Sequence, residues 1–213
     1  MKIAIPITSE SMDEALRDMD KAAKVADIIE LRIDYMSDPN LERLLKHSQT
    51  LKIVTNRTKY EGGRFQGSEE QRVAYLEQAI VLGAEYVDIE LDHYHQLEKV
   101  NTKLIVSHHN FNETPKNLDD IYQRIAGKNP DIIKIATKAN SLEDSLRMLS
   151  IIARANRDII GICMGQAGMI TRVYGPVIGG YLTFASLGEG KSSALGQMNV
   201  NELRQVWQLL QLE

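Results

Sequence analysis

Cysteine is nearly absent from this chain: Cys163 is the one copy in 213 residues. That excludes an internal disulfide framework and fits a reducing compartment. No basic run exceeds two residues and the formal net charge is -4, so nothing points to a nucleic-acid partner. No apolar run approaches the length that spans a membrane. The start, MKIAIPITSE, is too short in its apolar part for a signal peptide. From these absences we expect a cytoplasmic protein with no membrane partner. Interdomain linkers and low-complexity stretches are also missing, so residues 1–213 read as a single domain. Hydrophobic and charged fractions of 43% and 25% are those of an ordinary globular chain, long enough for a large core.

What is present is a recurring pattern of short β-branched runs. Strands are expected at 2–6, 27–32, 51–56, 85–90, 103–107, 131–136, 158–163 and 180–185, with helical patterns between them. Ser11 with Glu14 and Ser68 with Gln71 have capping-box spacing. Val73, Leu76 and Ile80 form one expected core-facing stripe. Leu142, Leu146, Leu149 and Ala153 form another, and Leu203, Val206, Trp207 and Leu210 a third. The segment 164–180 is Gly-rich and only weakly marked as helix. Alternating strands and helices imply parallel pairing with right-handed crossovers. Eight such units predict a (β/α)8 TIM barrel. An open doubly wound sheet would more naturally carry a Gly-rich turn after strand 1, where this chain has PITSES.

In such a barrel the C-terminal strand ends build the active site. Glu30 and Arg32 close strand 2. Arg57 follows strand 3, with Glu61 four residues on. Asp88 and Glu90 close strand 4, Ser107, His108 and His109 follow strand 5, Lys134 lies within DIIKIA, and Arg172 follows strand 7. A lysine on an apolar strand is a candidate Schiff-base nucleophile, because desolvation and nearby arginines favour its neutral amine. By itself it reads more readily as a lysine that snorkels to solvent. The arginines suit a substrate carboxylate or phosphate. Asp88 and Glu90 read as partners of Lys or Arg. A metal cluster of Asp88, Glu90, Asp92, His93 and His95 is disfavoured, because the two histidines open a helix on which their side chains diverge.

In these residues the sequence resembles type I 3-dehydroquinate dehydratase over nearly its whole length. IELRID matches the family's Glu-x-Arg segment, NRTKYEGG its Arg-x-x-x-Glu-Gly-Gly, and SHHNFNETP its Ser-x-His-(Asp/Asn)-Phe…Thr-Pro. IIKIA matches its lysine strand, MGQAGMITRVYGPVIGGYLTF its Arg-bearing stretch, and SSALGQ its Ser-Ala-Pro-Gly-Gln. The resemblance implies a shikimate-pathway Schiff-base dehydratase of 3-dehydroquinate, with Lys134 as nucleophile, His109 rather than His108 as acid–base group, and Glu61 orienting it. Glu30, Arg32, Arg57, Arg172, Ser193 and Gln197 would bind the small-molecule substrate. Neither a metal nor another cofactor is implied, and a homodimer is expected. The glycine-rich stretch 188–196 would be a closing lid. Departures are Asn110 for Asp, Leu195 for Pro, and Pro6 where some relatives carry serine. A class I aldolase-like lyase on a phosphorylated sugar and a catalytically silent binding module remain as alternatives.

Overall fold

A computed structural model describes residues 1–188, 194 and 196–212. It contains eight strands in the order β7-β6-β5-β4-β3-β2-β1-β8, all pairs parallel. The strands are β1 (Ile3–Ile7), β2 (Ile28–Arg32), β3 (Leu51–Thr55), β4 (Tyr86–Glu90), β5 (Lys103–Asn110), β6 (Ile132–Lys138), β7 (Ile159–Met164) and β8 (Thr183–Phe184). The Tyr181 amide donates to the Ile159 carbonyl at 2.7 Å, which draws the two ends of the sheet together. This is a (β/α)8 barrel. No helix among the described residues is long and apolar enough to cross a membrane.

Seven α-helices are described: α1 (Met12–Ala22), α2 (Leu41–Lys46), α3 (Glu69–Val81), α4 (Leu118–Ala126), α5 (Leu142–Arg154), α6 (Met169–Tyr174) and α7 (Val200–Leu209). Their starts are locally encoded. Ser68 and Gln71 close the expected capping box of α3, and the Ser11 side chain accepts from the Glu14 amide at α1. Strand 4 departs from the pattern. It is followed by a 3₁₀ turn at Leu91–His93 and then irregular chain to Thr102. His93 and His95 therefore do not open a helix. About ten residues separate the turn from β5, too few for a crossover helix plus its two loops.

Strand alternation assigns the faces. Ile29, Leu31, Val54, Val87, Ile89, Val106, Ile133 and Ile135 join the large core shared with the helices. Ala4, Ile28, Ile53, Tyr86, Ile105, Ile132 and Ile160 form a separate cluster inside the barrel. Two residues further along, the inward positions become polar: Glu30, Thr55, Asp88, Ser107 and Lys134, all buried. The apolar plug therefore floors the polar site.

Three sequence expectations change. Strands β5 and β6 run on to Asn110 and Lys138 because His108, His109 and Asn110 keep their pairing with Ile135, Ala136 and Thr137. Strand β8 shrinks to two residues, since the Gly180 amide turns back onto the Gly175 carbonyl at 2.8 Å. The stripe expected to bury α5 faces outward: Leu142 and Leu146 are 65% and 61% exposed. The buried face is Ser145, Met148, Ile151 and Ile152, with the Ser145 hydroxyl satisfied by the Ala167 carbonyl at 2.7 Å. Two apolar stripes compete on this helix, and a hydrogen-bonded serine marks the inner one. The α3 stripe is buried as expected. On α7, Leu203 and Trp207 are buried, whereas Leu210 lies past the helix end and is exposed.

The α5 orientation has a direct test. Met148→Ala is expected to cost about 2–5 kcal/mol in urea unfolding. Leu146→Gln is expected to change stability by no more than about 0.5 kcal/mol. The reverse order would mean that α5 packs on its other face.

Candidate active site

Each inward polar residue is delivered by strand register. Ser107 pairs in register with Lys134, and Glu90 with Ser107. Lys134 Nζ lies 2.8 Å from Asp88 Oδ2 and 3.2 Å from Glu30 Oε1, and 4.8 Å from the Phe184 ring centroid. Thr55 Oγ1 donates to Glu30 Oε1 at 3.0 Å. Asp88 Oδ1 accepts from Arg57 at 2.8 Å and from Ser107 Oγ at 2.6 Å. Arg57 also donates to Ser107 Oγ at 2.7 Å and meets Glu90 at 3.3 Å. Glu90 is held in turn by Arg72 at 2.6 Å and by the Thr58 amide at 2.8 Å. Asp88 and Glu90 thus take the expected part of partners to Lys and Arg.

Charge and burial set the protonation states together. Burial alone would raise Asp88, but Arg57 and Lys134 outweigh it and hold the carboxyl well below its ordinary range. Burial alone would lower Arg57, and Asp88 and Glu90 reverse that. Arg172 differs. It is buried with no acidic partner among the described residues; one amino group donates to the Phe184 carbonyl at 3.2 Å and its Nε finds no acceptor. Burial pushes it down to about 10. A buried guanidinium without an anion is a standing demand for one.

His109 and Glu61 form the second constellation. Glu61 Oε2 receives both the His109 backbone amide, at 3.0 Å, and Nδ1, at 2.8 Å. Burial pushes Glu61 up to about 8, aided by Glu90 and Asp88 and opposed by Arg57. Burial, then Arg57 and Lys134, push His109 well below its ordinary value. Both shifts disfavour charge, so each member of the pair is driven toward its neutral form. His109 becomes a base at Nε2 only when Nδ1 carries the proton shared with Glu61. The pair therefore titrates as a unit. Asn110 Oδ1 accepts from the amides of Asn112 and Glu113 at 2.9 and 3.0 Å. It secures the turn after β5 as a carboxylate would, so the missing charge does not loosen that turn.

Glu30, Arg32, Arg57, Glu61, His109, Lys134, Arg172 and Gln197 line one cavity, with Phe111 and Phe184 among its apolar walls. Ser193 and Leu195 lie outside the described residues, as does most of the stretch expected to act as a lid. Arg32 is held bidentate by Asp34 at 2.8 Å. Pro6 sits in β1 in register with Glu30 and offers no hydroxyl. His108, next to His109 on the strand, turns away from this cavity. The five-residue metal cluster does not assemble: His93 and His95 lean on Glu69, and Asp92 pairs with Arg124. Glu61, Asp92 and His108 do bring donor atoms within 4.8 Å of one another. Both of those carboxylates already have partners, His109 and Arg124.

Arg72 and Phe111 were not singled out from sequence as functional, and Ser107 was placed at the strand-5 end without a role. Arg72 carries no local signal. It reads as an ordinary surface residue of α3 until Glu90 is seen beneath it.

Fold and site together define a (β/α)8-barrel enzyme equipped for acid–base and amine chemistry. Comparison with known proteins narrows this. A family model described as Type I 3-dehydroquinase matches residues 3–213, and the chain belongs to that family of hydro-lyases. The 3-dehydroquinate dehydratase of Methanococcus maripaludis strain C5 is 39% identical, covering 98% of this chain and 100% of the relative. That of Methanocaldococcus jannaschii is 38% identical, covering 99% and 100%. The crystal structure of 3-dehydroquinate dehydratase from Geobacillus kaustophilus HTA426 superposes with a TM-score of 0.87 at 27% identity, covering 99% and 91% of the two chains. A 3-hexulose-6-phosphate synthase, at 15% identity and a TM-score of 0.61, shares the fold alone.

Replacing Glu61 by Gln tests the shifts of Glu61 and His109. A carboxyl raised in the folded state adds stability that is full below its unfolded value, near 4.5, and is lost as pH rises through about 8. His109 has the opposite sign: its contribution is present above about 6.5 and is lost as pH falls. The difference in Tm between wild type and Glu61→Gln is expected to turn against wild type between pH 5 and 9. A difference constant across that window would show Glu61 to be ionised throughout.

Proposed function

We propose that the chain dehydrates 3-dehydroquinate to 3-dehydroshikimate, a step of the shikimate pathway, through a Schiff base on Lys134. What supports this is one observation: a buried amine, a carboxyl-backed imidazole and an arginine with no acidic partner among the described residues face the same cavity. The amine must first lose a proton, and Asp88 and Glu30 are the acceptors in contact with it. Nζ then attacks the ring ketone carbon, and the carbonyl oxygen leaves as water. The resulting iminium is an electron sink, so His109 Nε2 can remove a proton from the adjacent ring carbon and leave an enamine. The enamine expels the neighbouring hydroxyl, which takes that proton from His109 and departs as water. Hydrolysis of the product iminium frees Lys134.

Arg172 is the proposed carboxylate site, because it alone of the buried arginines at the cavity has no acidic partner among the described residues. Glu30 and Gln197 are placed to meet ring hydroxyls, and by resemblance Ser193 joins them. Arg32 and Arg57, already tied to carboxylates, act mainly by shaping the field. A relative from Clostridium difficile, 26% identical with a TM-score of 0.85, has been solved with covalently modified comenic acid. We also propose a homodimer, by resemblance to the family.

Borohydride added with substrate or product is expected to trap an adduct on Lys134, read by peptide mass spectrometry. His109→Ala should still form that adduct while kcat falls by about 10²–10⁴. An adduct on a different lysine, or equal losses in His108→Ala, would sink the assignment.

A further inference from the structure

Phe111 is a large apolar side chain at the mouth of the cavity, 45% exposed, and the proposed chemistry gives it no part. Its ring lies parallel to the imidazole of His109, with centroids 6.3 Å apart and an interplanar angle of 14°. The opposite side of its surroundings is unusual. Gly62, directly after Glu61, has φ of +76°, and a Cβ built there would stand 2.4 Å from Phe111 Cζ and 2.6 Å from Cε2. The ring therefore occupies the space that any other residue at position 62 would fill. It is fixed at both ends: it follows His109 by two residues, and it rests on the backbone atom next to Glu61. The Asn110 turn holds its chain in place, and the Asn112 carbonyl accepts from Asn140 at the start of α5 at 3.1 Å.

We propose that Phe111, seated on the bare α-carbon of Gly62, is a positioning residue that closes the mouth side of the His109–Glu61 pair to water and fixes the imidazole plane. An aromatic face against an imidazole excludes solvent without offering a competing hydrogen bond. The strands around the pair supply its charges: Arg57, Asp88, Glu90, Lys134 and Arg32, with His108 and Asp92 near Glu61. None of these side chains is itself altered when the ring is removed. The change expected on its removal is then entry of water, which lets the pair carry charge more easily. This inference rests on the proposed role of His109 in the reaction, but its first readout does not.

The test uses Phe111→Ala, Phe111→Tyr and Gly62→Ala. Phe111 is half-exposed, so its replacement leaves the core intact. Gly62→Ala displaces the ring directly, at the added cost of a left-handed backbone. Imidazole NMR of the ligand-free proteins follows His109 as pH falls. In Phe111→Ala and Gly62→Ala, His109 is expected to take up its proton at higher pH than in wild type, by about one unit or more; Phe111→Tyr should match wild type. In turnover, the plateau kcat of Phe111→Ala should fall about tenfold, a fraction of what an acid–base group contributes, with KM within about twofold. An unchanged His109 titration in both ring-displacing variants would overturn the proposal. So would a rise in KM alone, which would make the ring a substrate wall, or a tyrosine variant that behaves like alanine. If wild type forms no Lys134 adduct, the proposed reaction fails while the NMR comparison still reads the positioning role.

Discussion

The contact between Lys134 and Asp88 is the constraint on which the rest of this barrel depends. A lysine and an aspartate in a barrel interior each lose several kcal/mol of hydration, and their mutual attraction returns it only with good geometry and further hydrogen bonds. Asp88 meets that condition with three partners, Lys134, Arg57 and Ser107. The network then propagates. Arg57 requires Glu90, Glu90 requires Arg72, and Arg72 is closed by Glu69 on α3. A chain of alternating charges thus links the amine in the barrel axis to a surface helix. Breaking it at any buried member leaves an uncompensated charge beside the next.

This polar interior is tolerable because the fold separates its two jobs. The outward strand faces and the helices carry the large apolar core, and the Ile28–Ile53–Ile105–Ile132–Ile160 cluster seals the barrel floor. Stability is thereby held away from the site. Arg172 and the His109–Glu61 pair are the exceptions to internal charge balance. One is a buried cation with no acidic partner among the described residues, and the other is a pair whose members are both pushed toward neutrality. A substrate carboxylate and a substrate proton would relieve both, which ties the strained electrostatics of the free protein to the proposed reaction.

Much of this was legible in the sequence. Short β-branched runs gave most strand positions to within a residue or two, the end of β5 and the start of β8 being the exceptions, and the ionisable residues at their ends marked the cavity. His109 was separable from His108 by strand alternation combined with the family motif. Other features were not legible for physical reasons. The face of α5 was misread because Ser145 hides a hydrogen bond that makes it a core residue. Arg72 was missed because nothing local distinguishes a helix arginine that reaches a buried carboxylate from one in water. The upward shift of Glu61 depends on burial and on the charges of Arg57, Glu90 and Asp88, so no spacing rule reveals it. The need for glycine at position 62 is visible in the motif but acquires a cause only when Phe111 is found against it.

The central claim is that the amine held by Asp88 and Glu30 does the chemistry on a ketone bearing a carboxylate. It is tested most directly by mixing purified protein with 3-dehydroquinate and following the absorbance of the conjugated product, alongside Lys134→Met. The account predicts steady product formation by wild type and none above the uncatalysed rate by the variant, with both chains folded by circular dichroism. Turnover by folded Lys134→Met at the wild-type rate, or no turnover by wild type, would contradict it.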